Sequence, residues 1–423
     1  AEDRTEELRQ RKKQARQSGG PERVAARRRK GVGSARERVV ALLDPDTFVE
    51  LDVLKEGATT GHGKIGGRDM YIFSLDGETS RSARGEACLG KIAKVADLAM
   101  KNGAPLLGLY DCGGVSSEAK RGKSARGEAV QSASAGSYSE IFLRNVMASG
   151  LVPQISIVFG PCVGSAVYGP VLSDFVVMVK GQGQLLLGDP RARGKRTKEG
   201  FGLEEIGGAR SLSERDGVAH LTADDEKECF DIVRRLMSYL PQNNLEDTPL
   251  VDSPDPVDRM DEELDSVADM GSEGEEDVRR IIRHVFDEGE LLEITPLWAQ
   301  NLVVGFARLG GRAVGVVANQ PTSLEGRLDS DASIKGARFV RFCDAFNLPL
   351  VTLVNTPGFV RGEKQGHGRV MRDAAKLVYS YCEATVPKLT VVTHRAKAEG
   401  FETMCSRHIG ADFNFAWPSA EIE

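Results

Sequence analysis

The residues best suited to chemistry lie in one stretch, Gly160-Pro161-Cys162-Val163-Gly164-Ser165-Ala166-Val167-Tyr168. It follows a short apolar run, Ile155 to Phe159, that reads as a buried strand. Small residues that end a strand and open a helix present backbone N–H groups with little side-chain cover. Two such groups, here at Gly164 and Ser165, can stabilise a developing oxyanion, and the helix dipole helps. Tight strand–helix packing would explain the same small residues equally well. A second glycine-containing junction falls near Glu399-Gly400-Phe401. Two oxyanion sites suit a reaction between two carbonyl partners, each passing through an enolate-like state. The six histidines, at 62, 220, 284, 367, 394 and 408, are scattered without metal or nucleophile spacing, and no catalytic triad stands out. A substrate or cofactor atom would then have to move any proton.

The elements that position these junctions come from a chain of 423 residues with a formal net charge of −6. That length suggests two or three domains with room for full cores. Nothing in the composition points to nucleic acid, and no apolar run approaches the ~20 residues that span a bilayer. Seven cysteines without CxxC spacing read as buried free thiols in a reducing compartment, and a zinc site is not expected. The charged opening, Ala1-Glu2-Asp3-Arg4, has no signal-peptide character, so a cytoplasmic protein is expected. Residues 1 to about 40 are basic, with a cluster at Arg27-Arg28-Arg29-Lys30, and read as a solvated amphipathic helix followed by a second helix over 35–43.

The chain then repeats itself. Leu43-Asp44-Pro45-Asp46-Thr47-Phe48-Val49-Glu50-Leu51 resembles Phe286-Asp287-Glu288-Gly289-Glu290-Leu291-Leu292-Glu293-Ile294. Gly67-Arg68 matches Gly311-Arg312. Long helices are predicted over 87–102 and 333–347, each leading through a proline into an apolar strand. Arg68 and Asp111 are 43 positions apart, as are Arg312 and Asn355. Further on, Ser173-Asp174-Phe175 parallels Ala411-Asp412-Phe413. The pattern predicts an α/β protein of two similar halves, residues 1–245 and 246–423, joined by a polar linker with prolines at 249, 254 and 256. A site between two related halves is natural.

Several long stretches resemble one family. They include Ala35-Arg36-Glu37-Arg38 to Leu51; Gly150 to Phe175; Glu205-Ile206-Gly207-Gly208-Ala209; Val317-Ala318-Asn319-Gln320-Pro321; and Ala337 to Phe359. Over nearly its whole length the chain is similar to the carboxyltransferase (β) subunits of biotin-dependent acyl-CoA carboxylases, of the propionyl-CoA carboxylase, methylmalonyl-CoA decarboxylase and transcarboxylase type. The resemblance implies tandem crotonase-like β/α superhelix domains, with the acyl-CoA on the N-terminal half and biotin on the C-terminal half. It implies a homo-oligomer, a hexamer or dimer unit, whose active site forms between subunits. Biotin would arrive on a separate carrier or biotin carboxylase subunit. Gly164 and Ser165 would hold the acyl-CoA oxyanion, and Gly400 and Phe401 the biotin oxyanion. Gly113, Gly114, Ala166, Tyr168 and Glu402 would contact the acyl-CoA, with Glu402 at a position that helps select acyl length.

The chain departs from the family pattern near these positions. The family's Tyr-Gly-Gly-Ala-Tyr becomes Lys397-Ala398-Glu399-Gly400-Phe401. A carboxylate 4 Å from a developing oxyanion would raise its energy by roughly 1–4 kcal/mol, depending on local dielectric. About ten extra residues lie between Val115 and Ser134, and the loop after Gly188 is basic, with Arg191, Arg193, Lys195, Arg196 and Lys198. Three functions stay open at this point: a working carboxyltransferase, a biotin-independent decarboxylase of a malonyl-type thioester, and a non-catalytic paralogue within a carboxylase complex.

Overall fold

The computed structural model describes residues 2–16, 32–76, 86–112, 135–188, 202–265, 276–361 and 367–423. The chain forms two compact units, residues 1–237 and 238–423. The Arg27–Lys30 cluster, the insertion 115–134 and the basic loop 191–198 lie outside the described residues.

The first unit is built on a sheet of β1 (Val49–Leu51), β2 (Thr59–Ile65), β3 (Arg68–Ser74), β4 (Leu106–Tyr110), β5 (Gln154–Val158), β7 (Phe175–Val179) and β9 (Leu221–Ala223), in that spatial order. A short side sheet pairs β6 (Pro161–Val163) with β8 (Gln184–Leu186). β1 to β3 are antiparallel neighbours; from β3 onward the pairs are parallel. The helices are α1 (Glu2–Arg16), α2 (Ala35–Leu42), α3 (Glu86–Asn102), α4 (Ala135–Ala148), α5 (Tyr168–Leu172) and α6 (Glu226–Tyr239), besides two short ones over 203–214. β4, β5 and β7 are buried along their whole length, as parallel strands covered on both faces should be. Helix α2 shows why the local sequence folds this way. Ser34 caps it, its Oγ accepting from Glu37 N at 3.3 Å while Glu37 Oε2 accepts from Ser34 N at 2.9 Å. The helix then buries Ala35, Arg38, Val39 and Leu42, one stripe of helical spacing.

The second unit repeats the plan with β10 (Leu292–Ile294), β11 (Leu302–Leu309), β12 (Arg312–Asn319), β13 (Leu350–Thr356), β14 (Lys388–Ala396) and β15 (Phe413–Ala416), while β16 (Glu421–Ile422) pairs with β14. Its helices are α7 (Val278–Val285), α8 (Ser330–Ala345), α9 (His367–Glu383) and α10 (Ala398–Thr403).

The internal repeat extends to registers and single hydrogen bonds. Leu106 stands opposite Gln154 as Leu350 stands opposite Lys388; Ile155 opposite Phe175 as Leu389 opposite Phe413. Each β2–β3-type hairpin closes on two glycines at positive φ, Gly66-Gly67 (58° and 78°) and Gly310-Gly311 (56° and 76°). Two-residue turns of that geometry match strand twist and exclude most side chains. In both units one aspartate accepts from both turn amides: Asp44 at 3.1 and 2.8 Å, Asp287 at 3.1 and 2.7 Å. A buried lysine recurs too. Lys91 Nζ donates to the carbonyls of Lys55, at 3.2 Å, and Ala58; Lys335 Nζ donates to those of Thr295, Trp298 and Ala299 at 3.0, 2.8 and 3.4 Å.

Candidate active site

In the first unit, β5 leads through Phe159 and Gly160 into β6, and β6 into a one-turn helix, Gly164–Val167, that continues as α5. Gly164 has φ +69°, a left-handed conformation that turns the chain and disfavours any side chain there. The first amides of a helix have no acceptor within it, so Gly164 and Ser165 present theirs at this turn. Ser165 and Tyr168 are exposed and Ala166 is buried. The turn is held from below. Gly169 lies so close to Tyr110 that an added Cβ would sit 2.8 Å from the phenol oxygen, and the Tyr168 ring meets Phe142 edge-on at 5.5 Å. Beneath Ala166 is a small apolar hollow of about 20 Å³, lined by Phe73, Leu75, Tyr110, Cys112 and Phe142 among others. Gly113 and Gly114 lie outside the described residues.

A buried charge cluster that sequence reasoning did not single out braces the same turn. The Arg38 side chain, 0% exposed, donates to Asp111 Oδ2 at 3.1 Å and to Glu226 Oε1 at 3.0 and 2.7 Å, and lies over the Phe159 ring at 4.4 Å. Asp111 in turn crowds Gly160, where an added Cβ would come within 2.3 Å of Oδ1. Three acidic or basic residues at positions 38, 111 and 226 give no local sequence signal, because only the fold joins them. His220 is structural: its Nδ1 accepts from Val176 N at 3.0 Å.

In the second unit α10 follows β14 directly, with Lys397 as N-cap. Counted along the chain from the matched positions Gln154 of β5 and Lys388 of β14, Cys162 falls at Ala396, and Gly164 and Ser165 fall at Ala398 and Glu399, two positions before Gly400 and Phe401. Gly400 is buried against the loop after β13; a Cβ there would meet Gly358 Cα at 2.7 Å and Thr356 Cγ2 at 3.1 Å. Phe401 is half-buried, while Glu399 and Glu402 are exposed on the helix. Thr403 Oγ1 donates to the Glu399 carbonyl at 2.7 Å. The Lys397 ammonium bonds Glu423 at 2.9 Å and Glu421 at 3.3 Å, and these carboxylates push its pKa up. His394 is pushed down by burial and by the Arg395 charge beside it. Arg395 N and Nε donate to Asn355 Oδ1 at 3.3 and 3.4 Å. Among the described residues no group of three or more His, Cys, Asp or Glu could hold a metal ion, and no helix is long and apolar enough to cross a membrane.

Residues 26–423 match the carboxyl transferase domain family, and the chain belongs to it. It is an enzyme of the acyl-CoA carboxylase carboxyltransferase class with the crotonase-type fold. The chain is 42% identical to the propionyl-CoA carboxylase carboxyltransferase subunit of Haloferax mediterranei, covering 100% of this chain and 83% of that one. It is also 42% identical to the methylmalonyl-CoA decarboxylase subunit alpha of Veillonella parvula, over 96% of this chain and 80% of the relative. Among solved structures, a hexamer-forming transcarboxylase 12S with hydrolysed methylmalonyl-coenzyme A bound matches at a TM-score of 0.92 and 38% identity, covering 100% of this chain and 83% of that one.

Proposed function

We propose that this protein moves a carboxyl group between carboxybiotin, carried on a separate protein, and the α-carbon of a short acyl-CoA such as propionyl- or acetyl-CoA. The observation that carries the acyl half is the Gly164 turn, which fixes two backbone N–H groups at the end of a buried strand. As the α-carbon loses its proton, negative charge gathers on the thioester oxygen. Amides already aimed at that oxygen stabilise it without reorganisation. Ala166 and Tyr168 would flank the acyl group on this side, with Gly113 and Gly114. When bound, carboxybiotin supplies the carboxyl group and the nitrogen that takes the α-proton. The α10 start, with Gly400, Phe401 and the amides before them, fits the carbonyl oxygen of that group, since a helix N-terminus favours a polar or anionic oxygen. Glu402 lies on the exposed side of the same helix and would face the acyl group. Residues 1–245 would form the acyl-CoA half and 246–423 the biotin half. We place the enzyme in the cytoplasm as a homo-oligomer, a hexamer or dimer unit, working with a biotin carboxyl carrier or biotin carboxylase subunit.

One observation favours a second reading. Glu399 puts an exposed carboxylate in the first turn of α10, where charge would oppose an oxyanion. Decarboxylation of a malonyl-type thioester without biotin needs only the first unit's turn. A coupled assay with biotinylated carrier, malonyl-CoA and methylmalonyl-CoA separates the two. Biotin-dependent carboxyl transfer is expected; CO2 release that ignores biotin would replace it with the second reading.

A further inference from the structure

Two of the seven cysteines meet. Cys112, just past the end of β4, and Cys162, in the middle of β6, are both buried, and the Cys162 S–H donates toward Cys112 Sγ at 3.4 Å. The fold does not require them. The same two positions in the second unit hold Thr356 and Ala396, which stand opposite each other in the β13–β14 register. In the first unit Cys162 pairs with Leu185 of β8 instead, and it is the 3.4 Å between the sulfurs that brings the two cysteines within reach of a bridge. A disulfide needs the sulfurs at about 2.05 Å, so bridging draws them together by roughly 1.4 Å.

Two further features matter. Cys112 lines the hollow beneath Ala166, whose volume of about 20 Å³ admits a water-sized molecule. Gly164 is two residues past Cys162, and Gly160, two residues before Cys162, is packed against the Asp111 carboxylate. Movement at Cys162 is therefore passed forward to the turn.

We propose that Cys112 and Cys162 are a peroxide-sensitive dithiol whose closure to a disulfide withdraws the Gly164–Ser165 turn from its working position. Hydrogen peroxide is the oxidant. The Cys112 thiolate attacks one peroxide oxygen, the O–O bond breaks, and hydroxide leaves to take a proton as water. The Cys162 sulfur then attacks the Cys112 sulfenic acid, forming the S–S bond and releasing a second water. Overall, two thiols are oxidised and one peroxide gives two waters. The donated S–H bond makes Cys112 the attacking sulfur; that bond, with burial, pushes the Cys162 thiol up and keeps its proton in place until the second step.

The effect on turnover rests on the reading of this turn as the acyl-side oxyanion site; the disulfide itself does not. The test treats the purified full chain with hydrogen peroxide in a Cys382→Ser background, because Cys382 is the exposed thiol. Peptide mapping should give a Cys112–Cys162 cross-link. Carboxyl transfer should fall about a hundredfold, the loss typical of a ~1 Å misplacement, and dithiothreitol should restore it. Hydrogen exchange of the peptide containing Gly164 and Ser165 should change on oxidation. C112T/C162A, which copies the second unit, should keep basal transfer and ignore peroxide; C162A alone serves if the double variant does not fold. Absence of the cross-linked peptide, or equal loss in the variants, overturns the proposal. If the reduced protein transfers no carboxyl group at all, the assignment of the turn fails, while the cross-link and the exchange data still decide the dithiol.

Discussion

At the scale of single residues, the proposed mechanism rests the chemistry on the backbone and leaves side chains to hold its shape. Ser165→Pro removes one N–H at a helix start, where proline is otherwise tolerated. We expect kcat for carboxyl transfer to fall about 10²–10³-fold with little change in melting temperature; unchanged turnover would remove Ser165 from the site. Glu399→Gly tests the opposite unit. If the carboxylate opposes an oxyanion, relieving about 1.4 kcal/mol should raise biotin-dependent transfer about tenfold, and no change would mean that the side chain lies too far away to act. Arg38→Met leaves Asp111 and Glu226 buried without their common cation, so we expect a loss of about 3–5 kcal/mol in stability, read by denaturant unfolding. That the chain turns at Gly164-Ser165 was legible, because small residues follow an apolar run there and Gly164 takes a left-handed φ of 69°, although tight packing explains such residues as well as chemistry does. The Arg38 cluster was not, because 188 positions separate its ends. The cysteine contact was hidden for the same reason, and seven thiols without spacing read as inert.

At the scale of elements, the equal 43-residue spacing in the two halves reappears as equal strand register, so the repeat was the most informative sequence signal. Helix ends moved little: α2 stops at Leu42, one residue before the expected end, and α3 begins at Glu86, one residue early. α8 begins at Ser330, three residues before expectation, because Asp329 caps it by accepting from Ala332 N at 2.8 Å. Sequence similarity also drew attention to the glycine at 400, whereas counting along the repeat sets Ala398 and Glu399 at the positions of Gly164 and Ser165. Gly400 also packs closely against Gly358, so packing alone would already keep a side chain out of that position. Lys335 gives a test at this scale. Burial pushes its ammonium down to about 7, although three carbonyls accept from it. A group with a lowered folded pKa binds fewer protons folded than unfolded, so stability should rise as pH climbs from about 7 toward 10. Lys335→Met should flatten that slope in melting temperature against pH; an identical slope would show that Lys335 keeps its proton throughout.

At the scale of the whole molecule, apolar surface stays uncovered. Leu143, Val146 and Met147 form one exposed face of α4, and Tyr168 and Leu172 of α5 are exposed as well. A face of that kind marks association more often than chance exposure. Sedimentation should show an assembly larger than the 45.7 kDa chain, and Val146→Glu with Met147→Glu should shift it toward the monomer; no shift would place the interface elsewhere. The duplicated plan has one more consequence. Each unit serves as a natural control for the other, an experiment in substitution already run on a shared scaffold. Where the halves agree, as at Asp44 and Asp287 or Lys91 and Lys335, the side chain answers to architecture. Where they part, as at Arg38 and Ile281, Cys112 and Thr356, or Ser165 and Glu399, the scaffold tolerates both, and the difference marks where each half has been free to specialise.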